Sequence, residues 1–223
     1  MAEADELHEG PGWRHRAVSK SLSAARSRAE QRVQRLLDAA FRLIDERGTT
    51  EFTIQEVVER SKQSLRGFYQ YFEGKDELLF ALLEESIRES VADLRDAVAS
   101  ESEPLERLRV FTIRLHEWCE PLGKKRRRGA HNRLPLSEFS LQIAIKDPAR
   151  VAAVIAPISR MLIELLEAAV ASGAVRVADP QRAAVLIQQT VMYGWLMNRL
   201  VPNARMRITA EDAWEFCLHG LRG

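Results

Sequence analysis

Cysteine is scarce in this 223-residue chain. There are two, Cys119 and Cys217, far apart in sequence. They exclude a disulfide framework and a CxxC metal knuckle, and buried free thiols in a cytoplasmic protein are the reading that remains. Charge of one sign is not in surplus either: 33 Lys and Arg stand against 32 Asp and Glu, a formal net charge of +1. A global positive field is therefore excluded as a basis for nucleic-acid binding, and any basic surface must be local. No apolar run reaches the roughly 18–20 residues of a membrane span. The best stretch, Met161 to Ala171, carries Glu164 and Glu167. The N-terminus is acidic and then basic, without the apolar core of a signal peptide. Strand alternation is missing too, since Val175 and Val177 are too brief a pair.

Catalytic signatures are equally lacking. There is no GxSxG elbow, no P-loop and no Rossmann glycine pattern. His116-Glu117 has no second ligand at helical spacing, so it is not the HExxH zinc pattern. The expectation is a protein that is not an enzyme, with no cofactor and no metal.

What is present is helical periodicity, over a composition of 46% hydrophobic and 29% charged residues that suits a globular protein. Residues 1–28 stand apart. They hold Gly10-Pro11-Gly12, an acidic start, and then Arg14, Arg16, Lys20, Arg26 and Arg28. With no sustained apolar period they cannot offset their ordering entropy, so a disordered arm is expected. Beyond it Val33, Leu36, Leu37, Ala40, Phe41 and Ile44 make one apolar stripe on a helix that stops at Gly48. Thr53-Ile54-Gln55-Glu56 is a capping box opening a short helix to about Ser61. Ser64 caps a third helix, to about Tyr71. A long fourth helix starts near Gly74 and carries Leu79, Leu83, Ile87, Val91, Leu94 and Val98 on one face. Pro104 opens a fifth, with Leu105, Leu108, Phe111, Leu115 and Trp118 inward.

Leu122 to Pro135 breaks the pattern and reads as a loop, followed by a short helix over 137–146. Asp147-Pro148 and Asp179-Pro180 are paired start signals, an acidic cap and then proline at the first helical position. The first opens a helix to Ser172, stopped by Gly173, in which Pro157 should produce a kink. The second opens a helix to about Leu200. Thr209 caps a last one, to Leu221. The fold class is all-α, with about nine helices.

Two short helices joined by a tight turn at Lys62-Gln63 have helix-turn-helix spacing, which is a weak signal by itself. The segment after the turn is more specific. In Ser64-Leu65-Arg66-Gly67-Phe68-Tyr69-Gln70-Tyr71-Phe72, Phe68 and Phe72 are four apart and share a buried face. Arg66, Gly67 and Gln70, with Leu65 beside them, then lie opposite. Small, long-polar and cationic groups on one exposed face suit a major groove. Tyr69 and Tyr71 can offer hydroxyls to phosphates.

Thr53-Ile54, Arg60-Ser61, Ser64, Tyr69-Gln70-Tyr71-Phe72 and Lys75-Asp76-Glu77-Leu78-Leu79, in that spacing, resemble the N-terminal signature of the TetR family of transcriptional regulators. The Tyr-x-Tyr-Phe-x-x-Lys-x-x-Leu block is its most specific part. The resemblance covers about residues 29–80 and extends beyond them only as architecture. It departs from the family's usual Ala-Gly-Val turn, which here is Ser61-Lys62-Gln63. Lys62 would have to adopt a left-handed backbone at a cost of roughly 1 kcal/mol, and Gln63 is polar where an apolar plug is usual. The recognition helix also starts with Leu65-Arg66 rather than a small polar pair, which leaves the operator sequence open.

The resemblance implies a DNA-binding domain over 29–75 and a helical effector-binding and dimerisation domain over 76–223. It assigns Thr53 to a phosphate, and Ser64, Arg66, Gly67 and Gln70 to bases or adjacent backbone. Tyr69, Tyr71 and Lys75 would hold phosphates, Lys75 with help from the start of the fourth helix. One such unit covers a half-site, so a homodimer on a pseudo-palindromic operator is implied, through the last two long helices. Leu186, Val191, Gly194, Trp195, Phe216 and Leu221 are compatible with that interface or with the monomer's own core. An effector cavity is implied among the fifth, seventh and eighth helices. Phe111, Leu115, Trp118, Phe139, Met161, Leu165, Met192 and Trp195 would line it unless they are plain core, and His116, Gln188 and Tyr193 could orient a ligand. The ligand would be a hydrophobic or amphipathic small molecule, and repression relieved by that ligand is the default mode. A helical ligand-binding or adaptor protein without DNA affinity is the alternative. The run Lys124–Arg128, with His131 and Arg133, reads as a solvated loop, a site for a phosphate-bearing effector such as an acyl-CoA, or an auxiliary DNA contact. Arginines of the arm could follow a phosphate track or enter the minor groove.

Overall fold

The computed structural model describes residues 12–119, 134–201 and 203–222. Its helices are α1 (Gly12–Arg47), α2 (Ile54–Ser61), α3 (Leu65–Tyr69), α4 (Lys75–Ala99), α5 (Pro104–Cys119), α6 (Leu134–Lys146), α7 (Pro148–Ala171), α8 (Pro180–Leu200) and α9 (Ala210–Arg222). A 3-10 turn spans Ala204–Met206. There is no strand among the described residues, and none of the described helices is long and apolar enough to cross a membrane.

The boundaries follow local chemistry. Thr53 caps α2: its hydroxyl accepts from the Glu56 N–H at 3.2 Å, and the Glu56 carboxylate accepts from the Thr53 N–H at 2.7 Å. Asp147 Oδ1 accepts from the Arg150 N–H at 3.1 Å, and Asp179 Oδ1 from Gln181 at 3.0 Å and Arg182 at 3.1 Å. Proline follows each acid because a first-turn position needs no amide donor. At α9 the Thr209 hydroxyl accepts from Asp212 N–H at 3.1 Å, while Asp212 Oδ2 accepts from the Thr209 N–H at 2.8 Å. Gly48 and Gly173 stop their helices at φ 68° and 75°, a backbone that side chains resist.

Three boundaries differ from the sequence expectations. Residues from Gly12 on, expected as part of a disordered arm, are helical and continuous with α1. The segment holds three Ala and four Arg, good helix formers, and Arg26 Nε pairs with Glu30 one turn on at 2.8 Å. It still buries little: every described side chain from Val18 to Arg28 is exposed. Helix α6 begins at Leu134, inside the stretch read as loop; residues 122–133 lie outside the described ones, as do the Lys124–Arg128 run, His131 and Arg133. Helix α3 ends at Tyr69, two residues early.

Two apolar cores organise the chain. The first gathers Leu36, Leu37, Ala40, Phe41 and Ile44 of α1, Val57 and Val58 of α2, Phe68, Phe72, and Leu78 to Leu83 of α4. The second joins Leu94 and Val98 of α4 to Leu108, Phe111 and Leu115 of α5, Leu162 to Ala169 of α7, Ile187 and Val191 of α8, and Trp214, Cys217 and Leu221 of α9. Helix α5 is central, packing against α4, α7, α8 and α9. Helix α4 runs through both cores, and Ile87 packs against each. Phe139 of α6 and Val151 of α7 belong to the first core, so these helices brace the amino-terminal domain.

Candidate nucleic-acid interface

The amino-terminal unit is α1, α2 and α3. Helix α2 is fastened to α1 by ion pairs: Arg60 Nη1 to Glu46 Oε1 at 2.5 Å, and Arg47 to Glu56. The Arg47 hydrogen bond, followed by bonds from Thr53, holds the Glu56 carboxyl down at about 2, well below the usual carboxylate range. The cap of α2 therefore stays charged through the physiological range.

The turn between α2 and α3 explains the unusual residues in it. Lys62 is left-handed at φ 55°, ψ 41°, and its N–H reaches Glu59 O and Val58 O. It is the one non-glycine residue with positive φ among the described residues. Gln63, polar where an apolar plug is usual, sends Nε2 to the Arg32 carbonyl of α1 at 2.7 Å. A hydrogen bond thus replaces apolar packing in seating the turn against α1.

Ser64 then caps α3, its Oγ accepting from the Gly67 N–H at 3.0 Å. A Cβ at Gly67 would lie 3.2 Å from that Oγ, so glycine keeps the cap uncrowded. Phe68 is fully buried and Phe72 nearly so, their ring centroids 5.4 Å apart. With both phenylalanines turned inward, Leu65, Arg66, Tyr69 and Gln70 are exposed on the outer side, and Gly67 is half-buried beside them. Thr53 and Ser64 are exposed as well. Tyr71 is half-buried against the first core, and the half-buried Lys75 places Nζ 5.0 Å from the Phe52 ring centroid. The start of α4 beside Lys75 is partly occupied, since the Glu77 carboxylate accepts the Glu73 N–H. Seven of the eight sequence-selected residues lie on α3, at its cap or in its exit up to the start of α4, and Thr53 stands at the cap of α2.

The sequence-selected effector residues are more dispersed. Met161 and Leu165 line an open cavity of about 410 Å³ with Arg95, Arg107, Pro157 and Arg160. Phe111 and Leu115 are fully buried in the second core, and His116 is buried near Gly194 of α8. Trp118 and Met192 are half-buried against the same core. Gln188 accepts from Ser159 Oγ at 2.8 Å and donates to Met192 Sδ, bonding α8 to α7. Tyr193 is exposed. Phe139 is a correction: it packs in the first core, because α6 lies against α4 at the amino-terminal domain. The Trp195 side chain lies outside the described ones.

Sequence reasoning missed a larger cavity of about 640 Å³ between α4 and α7, lined among others by Phe80, Ile87, Arg88, Arg95, Arg150 and Arg160. Its signal was present as Glu84, Ile87, Arg88, Val91 and Arg95, one stripe at helical spacing with mixed character. Attention to purely apolar stripes passes over such a face.

A compact three-helix unit with an exposed, aromatic-anchored third helix defines a helix-turn-helix protein, followed here by an all-helical second domain. Residues 36–82 match the family model for bacterial regulatory proteins of the tetR family. The HTH-type transcriptional regulator BetI of Brucella anthropi is 34% identical over 77 residues, which are 34% of this chain and 40% of that protein. The chain thus spans about two-fifths of the curated relatives it matches. Two solved structures share the fold. FadR of Bacillus subtilis, in complex with stearoyl-CoA, has a TM-score of 0.65 at 16% identity over 84% of this chain and 98% of its own. AibR, in complex with isovaleryl coenzyme A and operator DNA, has a TM-score of 0.54 at 21% identity over 86% of this chain and 98% of its own. Over its amino-terminal domain the chain is thus similar to the tetR family of transcriptional regulators.

Proposed function

We propose that this regulator binds a pseudo-palindromic DNA operator as a homodimer, represses there, and is released by a hydrophobic or amphipathic small molecule. The observation that carries the reading is the two-sided α3: Phe68 and Phe72 are buried while Arg66 and Gln70 project into solvent. In it Arg66 is the base reader, by bidentate pairing to guanine, with Gln70, Gly67 and Ser64 at neighbouring bases or backbone. Thr53, Tyr69, Tyr71 and Lys75 fix the register on phosphates. The domain boundaries are 29–75 for DNA binding and 76–223 for effector and dimer, with α1 residues before 29 as an added exposed helix.

Dimerisation is supported by an unpartnered apolar surface on α8 and α9. Leu186 is 64% and Phe216 72% exposed, with Val185, Met197 and Leu200 also exposed on α8. Val191, Gly194 and Leu221 are buried within the chain itself and do not contribute to that face. Ligand release follows from linkage: a molecule that binds better to one spacing of the two reading heads shifts the population away from the operator-competent one. FadR and AibR, which share the fold, were solved with acyl-coenzyme A ligands, and AibR with operator DNA as well.

The test is a gel shift of the full chain against DNA flanking its own gene. A discrete shift that resists excess unrelated DNA supports the reading. Equal affinity for specific and unrelated DNA, or none for either, leaves an adaptor or ligand-binding protein instead.

A further inference from the structure

The two cavities beside α4 and α7 are adjoining parts of one groove. Arg95, Pro157 and Arg160 line both. Arg88 and Arg150 stand along the larger part and Arg107 along the smaller. Five guanidinium groups therefore border one continuous groove, against the carboxylates of Glu84 and Glu164. Arg88 also pairs with Glu85, and Arg150 lies over the Phe80 ring, its guanidinium carbon 3.7 Å from the centroid. Arg107 Nε is buried without a hydrogen-bond partner. A buried donor of this kind is costly unless something accepts from it. The floor is apolar, formed by Phe80, Ile87, Val91 and Val154.

Pro157 contributes to the same wall. Without an amide hydrogen it cannot donate to the Ala153 carbonyl one turn earlier.

We infer that this groove is an effector site for a phosphate-bearing amphiphile, its apolar body on the floor and its anionic head among Arg95, Arg107 and Arg160. Guanidinium forks match phosphate oxygens in pairs, and such charge-assisted bonds are the strong ones. The position is suited to control. Phe80, under Arg150, belongs to the same core as Phe68 and Phe72, so an occupant touches the element that seats the reading helix. The inference rests on the regulator reading for its consequence on DNA, but not for the binding itself.

The experiment is calorimetric titration of the full chain with octyl phosphate, 1-octanol and inorganic phosphate, repeated on R95Q/R160Q. Octyl phosphate is expected to bind at least tenfold more tightly than either 1-octanol or inorganic phosphate. The double variant should lose at least tenfold of that affinity while keeping the circular dichroism and melting temperature of the native chain. Absent binding of octyl phosphate, equal affinity for 1-octanol, equal affinity for inorganic phosphate, or unchanged affinity in a folded double variant each overturns the site. Should R95Q/R160Q misfold, R95K/R160K replaces it, since lysine keeps the charge and removes the fork, and an affinity unchanged there overturns the paired-fork geometry. A parallel gel shift separates the two readings. Lost operator binding in the unliganded double variant would make the arginines a DNA contact and overturn the effector site. Native chain that never binds its flanking DNA, yet takes octyl phosphate, sinks the regulator reading alone.

Discussion

Single side chains decide what the reading helix can do. Arg66 is exposed on a helix whose inner side is held by Phe68, so truncating it removes a contact without disturbing the core. Arg66→Ala is expected to lose about 1–3 kcal/mol per half-site in operator discrimination, with folding and dimerisation intact. Gel shifts with cognate and scrambled DNA check this, and undiminished preference for the cognate site removes Arg66 from the interface. Glu56 illustrates a stabilising charge. Its carboxyl lies at about 2 in the folded chain, lowered by Arg47 and then by Thr53. Because the folded value is depressed, the stability it confers is complete above the unfolded value, near 4.3, and is lost as pH falls toward 2. Urea unfolding of Glu56→Gln should accordingly show a flatter pH dependence between 5 and 2 than the native chain. Cys217, whose burial pushes its thiol up to about 11, stays protonated near neutrality and is expected to react slowly with thiol reagents until the chain unfolds.

At the level of elements, the amino-terminal extension of α1 and the turn before α3 are the departures of interest. The extension is an arginine-bearing helix, exposed from Val18 to Arg28, that precedes the first core residue, Leu36. Removing residues 1–28 should leave that core intact, weaken DNA binding and flatten its dependence on salt, since fewer phosphates would be neutralised. Binding constants at several salt concentrations would measure the slope, and an unchanged slope would make the extension a passive tail. In the turn, Lys62 adopts the left-handed backbone that its position demanded, and the Gln63–Arg32 bond compensates for the missing apolar plug. Both residues were legible as anomalies from the sequence. The partner of Gln63 was not, because it lies 31 residues away.

Across the whole molecule, the proposed homodimer rests on the exposed apolar surface of α8 and α9. Leu186 and Phe216 are large apolar side chains with most of their surface in water. Burying each such side chain is worth about 1.5–3 kcal/mol, and a two-fold interface counts each twice. L186E/F216E is therefore expected to shift the protein from dimer to monomer in sedimentation analysis, and to weaken operator binding along with it. A native chain that sediments as a monomer would refute the interface. The groove between α4 and α7 belongs to this scale as well, since it sits where the two cores share α4.

The sequence alone determined the helical class, the caps and stops of nearly every element, and the two-faced character of α3. These depend on hydrogen bonds and side-chain spacings within a few residues, which act wherever the segment is placed. Tertiary structure alone decided how apolar residues were shared out. Phe139 went to the amino-terminal core, Val191 and Leu221 to the interior, and Leu186 and Phe216 to the surface. It alone assembled arginines from α4, α5 and α7 along one groove. Burial depends on which helices face each other, and that is a property of the packed chain, not of any one segment.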